Sequence, residues 1–339
     1  MYPELEPIEP TEAVEMYLIE KRSELADATL RSHRSRLSHF IEWCDEQDLT
    51  NLNTLTGRDL HRYRLWRRED GDLALTSEKT QMDTIRVFIR WAESVSAVES
   101  DLSEKVVSPT LSGDDNVRDV MVDAEEAEQI LNHLHTYEYA SERHVCFQLM
   151  WRAALRRGAI VALDIQDYEP DDQALEIKHR PESGTPIKNK SRGERFIGLS
   201  DQTCEVLDAW IADRRPEMKD NEGREPLLAT PQGRPHPTTI QTYLYSVTKS
   251  CFSTGECPHG RKIEDCDAAA DRTKASKCPS SMSPHALRRG AITHWLSSDM
   301  PETAVSDRGN VSPEILSKHY DRRSERKKME QRREFLHNI

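Results

Sequence analysis

Four separated segments of this 339-residue chain carry groups that could bind a phosphodiester and attack it: AALRRGAIVALD, RPESGTPIKNKSRG, SPHALRRGAITHWL and LSKHYDRRSE. A guanidinium is a planar fork that matches two phosphate oxygens, so Arg156 and Arg288 could bind one phosphate from two sides. His285 precedes Arg288 by three positions, which places both side chains on one face of the helix that Pro284 begins. These residues together predict a phosphate site.

Tyr320 is the candidate nucleophile for such a site. A phenol has an ordinary pKa of about 10, so it attacks poorly at neutral pH unless nearby positive charges, here the two arginines and His285, stabilise its anion. The leaving sugar hydroxyl needs a proton, which a lysine of the basic segment could donate. Lys188 and Lys190 could both reach, and we favour Lys188. The exchange requires no metal or nucleotide cofactor, because the energy of the phosphodiester is kept in the tyrosine ester.

The first hundred residues have the apolar spacing of helices separated by polar breaks. We expect helices from near Thr11, from about Ala28 to Asp45, after Thr56, and from Thr76 to about Ser94. Basic side chains lie at the edges of this module, and as candidates for DNA binding we select Arg31, Arg34, Arg36, Arg62 and Arg64. An ordinary solvated helix face remains the alternative interpretation.

The pattern changes from Asp123 onward to helices mixed with a small sheet. ALEIKH at 174–179 and ERFIGL at 194–199 are strand-like, and the long basic segment between them predicts a β-hairpin with a mobile tip. Further helices are expected at 125–135, 141–152, 157–163, 201–214, 237–250, 284–298 and 312–318, with a charged terminal stretch after residue 322.

Residues 99–118 are rich in Ser, Asp, Glu and Gly and lack periodicity, which is typical of a linker. The predicted organisation is therefore a helical module with basic edges at 1–98, a linker at 99–118 and a mixed helix-and-sheet domain at 119–339. The mean hydropathy is −0.77, and no window approaches the roughly 18 apolar residues of a membrane span. The first residues lack the order of a secretory signal, so we expect a soluble, cytoplasmic protein with no membrane partner.

The formal net charge of −13 counts against a nucleic-acid partner. Binding depends, however, on where the charges lie, and the acidic residues gather in loops such as GDDNVRDVMVDAEEAE. An acidic surface also suits a protein that works in high salt, where simple pairing with phosphates is weakened.

Nearly the whole chain resembles the tyrosine recombinase, or phage integrase, family. ALRRGAIVALDIQDY is similar to the family's first arginine box, with Arg156 at the catalytic position and Ala159 where Glu is usual. The His-x-Leu-Arg-Arg box is intact from His285 to Arg289. The first half resembles the family's SAM-like core-binding domain, and the acidic composition resembles that of integrases from salt-loving archaea.

The resemblance implies a mainly α fold with a small β-sheet, in which a helical core-binding domain and an α+β catalytic domain form a C-shaped clamp on double-stranded DNA. It implies a site-specific recombinase that cleaves and rejoins DNA at specific recombination sites through a 3′-phosphotyrosyl intermediate, releasing a 5′-hydroxyl. The basic C-terminal segment would dock on a neighbouring copy of the chain, giving a tetramer on DNA. The implied catalytic residues are Arg156, Lys188, His285, Arg288, Asn310 and Tyr320.

The last box departs from the family pattern. RGNVSPEILSKHYD has Asn310 where His or Trp is usual, and Tyr320 lies ten positions later, one more than the common spacing. Asn310 could still donate a hydrogen bond to a phosphate oxygen, and His319 is a candidate substitute. We interpret Arg157 and Arg289 as structural, because adjacent helical residues point to different faces.

Three other functions fit parts of the pattern. A recombinase-derived DNA-binding regulator, catalytically impaired by Asn310, would bind DNA without a covalent adduct. An enzyme like type IB topoisomerases would relax DNA without a partner site. A zinc-dependent binding module would lose DNA binding when its metal is removed.

Seven cysteines without a secretory signal argue against a disulfide framework. Four of them, at 251, 257, 266 and 278, crowd into one loop rich in Gly, Pro and charged residues. A structural zinc ion could order this loop, and the candidate ligands are Cys257, His259, Cys266 and Cys278. Reduced thiols in a mobile insertion are the alternative.

Overall fold

The chain divides into two compact units, Met1–Val117 and Arg118–Ile339. The structure is a computed structural model, and it describes residues 5–112, 120–333 and 336. Its helices and small antiparallel sheet confirm the predicted mainly α fold class. Within these residues, no helix is long and apolar enough to cross a membrane.

The first unit is a helical module with an aromatic core. Its α-helices within residues 5–112 are α1 (Pro10–Glu20), α2 (Asp27–Glu46), α3 (Gly57–Asp70) and α4 (Leu75–Ser94), and its 3₁₀ helices are Lys21–Ser23, Leu52–Thr54 and Leu102–Lys105. A reciprocal capping box begins α3, because Thr56 and Asp59 each accept the other's backbone N–H. Tyr17, Phe40 and Phe88 are fully buried where the helices meet. The four predicted helices are confirmed.

Part of the predicted linker packs on this first unit. Leu102 and Val106 are buried, and Arg86 Nη2 donates a hydrogen bond to Val106 O at 2.6 Å. Packing on the first unit therefore continues beyond residue 98, into the stretch expected to be a linker, and the division at 98 and 118 stays a prediction. Residues 113–118 of that prediction lie outside the described residues.

The second unit packs helices around a small antiparallel sheet. Its α-helices are α5 (Ala124–Tyr137), α6 (Glu142–Arg152), α7 (Arg157–Ala162), α8 (Asp201–Ala209), α9 (Pro237–Val247), α10 (Ser250–Thr254), α11 (Asp267–Ala270), α12 (Pro284–Ser297), α13 (Glu302–Gly309), α14 (Pro313–Ile315) and α15 (Glu325–Arg333). Its 3₁₀ helices are Ile165–Asp167, Lys190–Gly193 and Arg272–Lys277, and π-helical turns span Trp210–Arg214 and Leu316–Tyr320.

The sheet has the strand order β1 (Tyr168–Glu169), β2 (Ala174–Ile177) and β3 (Arg195–Gly198). Leu175 pairs with Ile197 in the β2–β3 hairpin, which confirms the predicted strand pair. The sequence did not predict β1 or α13. A two-residue strand and an eight-residue polar helix are both too short to show a clear hydrophobic period.

Two buried helices form the centre of this unit. All residues of α6 from His144 to Trp151 are buried, as are those of α12 from Ala286 to Thr293. Gly290 lets other segments approach α12 closely: a Cβ there would lie 1.9 Å from the backbone oxygen of Val122, just before α5, and 3.1 Å from the Trp151 ring of α6. The core therefore fixes α12 tightly, and α12 is the helix that carries His285 and Arg288.

Candidate active site

Arg288 is a buried cation with open hydrogen-bond donors. Its side chain lies in the core with the residue 1% exposed, and Nη2 donates to the backbone oxygen of Gly309. Nε and Nη1 are buried without a hydrogen-bond partner, and no carboxylate pairs with Arg288 among residues 5–112 and 120–333. Burial and repulsion from Arg156 lower the pKa of Arg288 to about 10, so the group stays charged at neutral pH. A buried positive charge with free donors suits an anion.

Arg156 binds the carbonyl of Asn310, the residue after the one that Arg288 binds. It caps the start of α7, and its Nη2 donates to the backbone oxygen of Asn310 at 3.0 Å. Arg156 and Arg288 thus bind two consecutive carbonyls of a single turn. Both arginines and His285 line one cavity of about 350 Å³, as the sequence predicts for a phosphate site.

Tyr320 lies at the end of a π-helical turn and is only 4% exposed. The side chain of Thr293 on α12 donates to its backbone oxygen, and Arg289 Nε donates to the carbonyl of His319 at 2.9 Å. The guanidinium carbon of Arg288 is 5.7 Å from the centre of the Tyr320 ring. Helix α12 therefore carries Arg288 and also holds the backbone of the candidate nucleophile.

His285 contacts the same tyrosine edge to face, with 5.5 Å between the ring centres. Its side chain is exposed to the cavity, yet partial desolvation and repulsion from Arg289, Arg288 and Arg156 lower the pKa of His285 to about 4. The imidazole is therefore neutral at pH 7. This differs from the sequence expectation of an added positive charge, and it leaves a ring nitrogen able to accept a proton.

The β2–β3 hairpin brings Lys188 to the arginines. A second cavity of about 210 Å³ is lined by Arg156, Lys188, Arg195 and Asn310, among others, and Lys190 is not one of its lining residues. The side chains of both lysines are exposed. This position favours Lys188 as the proton donor, as we predicted, but the assignment stays a prediction.

Asn310 ends α13 in the left-handed conformation, with φ 48°, which asparagine tolerates better than most side chains. Its side-chain oxygen accepts a hydrogen bond from Asn189 Nδ2 at 3.1 Å, and its amide nitrogen lies against Gly193, where a Cβ would come within 3.0 Å. Asn310 therefore connects the arginine-binding turn to the hairpin that carries Lys188. Its predicted bond to a phosphate oxygen stays a prediction.

Arg195 is a site residue that the sequence reading missed. Its Nε donates to the backbone oxygen of Arg308 at 3.0 Å and its Nη1 to that of Gly193 at 2.8 Å. Burial and repulsion from Arg288 and Arg156 lower the pKa of Arg195 to about 10. A signal was present: on β3, Arg195 and the buried Ile197 are two positions apart and so share one face of the strand.

The predicted DNA-binding arginines of the first unit fall into two groups. Arg31, Arg34 and Arg62 are exposed. Arg36 Nη1 donates to Thr84 Oγ1 at 3.1 Å, and Arg64 forms a 2.6 Å ion pair with the buried Glu78. The three exposed side chains can reach a DNA phosphate, although Arg62 Nη1 also pairs with Asp59 Oδ1 at 3.4 Å. The contacts of Arg36 and Arg64 join them to α4.

The candidate zinc ligands Cys257, His259, Cys266 and Cys278 line one small cavity together with Cys251. All four cysteines are free thiols. Within the described ranges, no three His, Cys, Asp or Glu side chains are placed to hold a metal ion as they stand.

Two protein-family models match the sequence. The model described as "Phage integrase family" matches residues 121–325, and the one described as "Phage integrase, N-terminal SAM-like domain" matches residues 15–95. The tyrosine recombinase XerC 2 of Ralstonia nicotianae is 20% identical over 213 residues, which cover 61% of this chain and 58% of that protein. The matched part thus spans less than two thirds of that relative.

Solved structures share the fold at low sequence identity. The integrase of transposon Tn1549, in complex with a circular intermediate DNA, superposes with a TM-score of 0.66 at 11% identity, covering 97% of this chain and 100% of that one. A lambda integrase dimer bound to a COC′ core site gives a TM-score of 0.58 at 12% identity, covering 96% of this chain and 77% of that one.

Proposed function

This chain belongs to the phage integrase family, and we propose that it is a site-specific recombinase that cleaves and rejoins duplex DNA through a 3′-phosphotyrosyl link at Tyr320. One observation carries the proposal. Arg288 is buried 5.7 Å from the Tyr320 ring with two unused donor groups, an arrangement that is costly in the free protein and is compensated when an anion binds.

The two arginines would bind the scissile phosphate. Arg156 and Arg288 are fixed on consecutive carbonyls, so their remaining N–H groups would approach the non-bridging oxygens from a preorganised position. Negative charge on these oxygens increases in the pentacoordinate state. Fixed donors at a site with little water stabilise that state more than the ground state.

The proton transfers would involve His285 and Lys188. As the Tyr320 oxygen forms its bond to phosphorus, the neutral imidazole of His285 would accept the phenolic proton. The bond from phosphorus to the 5′ oxygen breaks, and Lys188 would donate a proton to that oxygen. Attack by the 5′-hydroxyl of a partner strand reverses both transfers, so no external energy source or metal cofactor is required.

DNA is the proposed partner, and the related Tn1549 and lambda integrases were solved bound to DNA. Arg31, Arg34 and Arg62 on the first unit would contact backbone phosphates, which supply much of the affinity of such proteins and make it dependent on salt. The related lambda integrase is a dimer in its complex. We propose that this chain likewise assembles with copies of itself on DNA, as a tetramer when two recombination sites are joined.

The main alternative is a DNA-binding regulator without cleavage activity. The observation in its favour is Asn310, whose side-chain oxygen is already bonded to Asn189. The second alternative is an enzyme like type IB topoisomerases, which relaxes DNA without a partner site. The first predicts no covalent adduct, and the second predicts an adduct without exchange between two sites.

A nicked suicide duplex tests the proposal, because loss of the fragment beyond the cleavage point traps the covalent intermediate. A pool of such duplexes, cut from the DNA that flanks the coding sequence, is incubated with the full chain at high and low salt. We expect a denaturant-resistant band with the wild type and with the control Tyr137→Phe, whose side chain is exposed, but not with Tyr320→Phe.

The other outcomes are equally informative. Binding in a gel shift with no covalent band from the wild type would favour the regulator. A band that persists in Tyr320→Phe would identify another nucleophile, which mass spectrometry of the adducted peptide would locate. Adduct formation is expected to require no added Mg²⁺ and no added nucleotide.

A further inference from the structure

The segment between α9 and α12 has almost no apolar core of its own. From residue 248 to residue 283, Ala268 and Ala275 are its only fully buried hydrophobic side chains. Its regular structure consists of α10, α11 and one 3₁₀ helix, each of at most six residues. Helices this short are not stable by themselves, so another interaction must hold this segment in place.

Four thiols converge in this segment from four different local elements. Cys251 is on α10, Cys257 is in the following turn, Cys266 precedes α11 and Cys278 follows the 3₁₀ helix. All four are half-buried free thiols, and they line one cavity of about 10 Å³. This is close to the space that a single water molecule needs.

A buried cation beside this cavity has no counter-charge in the described part of the chain. Lys249 lines the cavity and is 7% exposed, and its Nζ donates to the backbone oxygen of Ala268 at 2.8 Å. Neither it nor Arg261, which also lines the cavity, forms an ion pair with a carboxylate among these residues. A buried ammonium normally needs an anion nearby.

We propose that Cys251, Cys257, Cys266 and Cys278 bind one structural Zn²⁺ ion as four thiolates. A Zn²⁺ ion with four thiolates carries a net charge of −2, which Lys249 and Arg261 would balance. Each thiol loses one proton to solvent as its Zn–S bond forms. The site is structural, because four protein ligands leave no open coordination position.

The sulfurs must move inward to coordinate the ion. Zn–S bonds of about 2.3 Å in a tetrahedron place the sulfurs about 3.8 Å apart, and no three candidate ligands are placed to hold a metal as they now stand. His259 is outside the proposed ligand set, because its side chain is exposed and its Nε2 is within 2.7 Å of Ser280 Oγ.

The zinc site would stabilise the start of α12. Ser281 Oγ donates to the backbone oxygens of Tyr245 and Ala275, and Met282 N donates to Thr248 Oγ1 at 2.8 Å. The next residue, Ser283, caps α12 through Ala286 N. An ordered segment thus leads directly into the helix that carries His285 and Arg288.

Metal analysis of the intact chain tests this proposal. We expect one zinc per chain by elemental mass spectrometry after dialysis, and one equivalent released when a mercurial reagent titrates the thiols. The double variant Cys257→Ser/Cys278→Ser should retain less than a tenth of that zinc. Cys204→Ser, at a buried cysteine outside the segment, and His259→Ala should both retain it.

Cobalt substitution of the wild-type chain gives a readout that does not depend on the folding of any variant. We expect the charge-transfer and ligand-field absorption of a tetrahedral site with four thiolates. A chain that binds neither zinc nor cobalt, or that contains a disulfide between these cysteines as purified, would overturn the proposal. Loss of zinc from His259→Ala would overturn the assignment of four thiolates. None of these readouts depends on DNA cleavage.

Discussion

The side chain of Arg156 binds the backbone oxygen of Asn310 at 3.0 Å, across 154 positions of sequence. The carbonyl just before it, that of Gly309, accepts a hydrogen bond from Arg288. A single turn at the end of α13 thus sets the position of both guanidinium groups that we propose bind the phosphate. The backbone conformation of Asn310 therefore controls the geometry of the proposed active site.

The first prediction concerns this turn. Asn310→Gly and Asn310→Ala both remove the side-chain bond to Asn189, but only alanine is strained at φ 48°. The alanine variant should be less stable than the glycine variant by about 1 kcal/mol, measured by urea unfolding. Asn310→Ala should also form the covalent adduct more slowly than Asn310→Gly. Equal stability of the two variants would show that the turn relaxes away from the left-handed conformation.

The second prediction separates two adjacent buried arginines of α12. Arg288→Met should reduce adduct formation by about 10²–10³-fold, the usual effect of removing one transition-state donor. The mutation removes a buried charge that has no carboxylate partner, but it also removes the hydrogen bond to the backbone oxygen of Gly309. These effects oppose each other, so the free energy of unfolding should change by no more than about 1 kcal/mol.

Arg289→Met is the matched control for that variant. Arg289 is itself buried and donates to the carbonyls of His319 and Val120, and the mutation removes these charge-assisted hydrogen bonds, at a cost of about 1–3 kcal/mol. Urea unfolding of both variants measures the contrast. A large loss of stability in Arg288→Met would mean that this arginine is structural.

The third prediction identifies the proton donor. Lys188→Ala should slow cleavage by about 10²–10⁴-fold, the range for general acid catalysis, while Lys190→Ala should have little effect. A substrate with sulfur at the bridging 5′ position has a leaving group that needs no proton. It should restore cleavage in Lys188→Ala but not in Arg288→Met. Failure of sulfur to rescue the lysine variant would count against the acid role.

The fourth prediction uses the low pKa of His285. The folded-state value of about 4 lies below the ordinary value of 6.5, so the unfolded chain binds this proton first as the pH falls. This contribution to stability is complete above about pH 6.5 and is lost between pH 6.5 and 4. Urea unfolding across this range should show a weaker pH dependence for His285→Asn than for the wild type. If the free energy of unfolding depends on pH equally in both proteins, the pKa of His285 is not lowered by folding.

The free energy of unfolding of His285→Asn will still depend on pH, because a second histidine also has a lowered pKa. Burial and the nearby His135 lower the pKa of His144 to about 4 as well, so His144 destabilises the fold in the same pH window. The double variant His144→Asn/His285→Asn should therefore show the weakest dependence of the three.

The fifth prediction tests Arg195 as a positioning residue. Arg195→Lys keeps the positive charge but cannot reproduce the bonds to Gly193 and Arg308. The salt dependence of DNA binding should be unchanged, while cleavage falls by about 10–100-fold because the hairpin is misplaced. Arg192→Lys, an exposed change on the same turn, should leave both properties unaltered. Full cleavage activity in Arg195→Lys would show that only the charge is needed.

Local periodicity is visible in the sequence, and it determined the helices of the first unit, the β2–β3 hairpin and the shared helix face of His285 and Arg288. It could do so because helices and strands place side chains at fixed intervals along one segment. The order of the arginine, histidine and tyrosine motifs likewise indicated the family, because that order is a property of the sequence itself.

The tertiary structure decided what each of these groups can do. Arg288 and Arg289 are adjacent arginines on α12. Of these two residues, Arg288 is the one that has buried donors without a partner in the described structure. The roles that we propose for Arg195 and for the thiols of Cys251, Cys257, Cys266 and Cys278 likewise rest on their positions in the folded chain. Burial, charge repulsion and hydrogen-bond partners arise from contacts between distant segments, such as the one between Arg156 and Asn310. No local pattern in the sequence encodes such contacts.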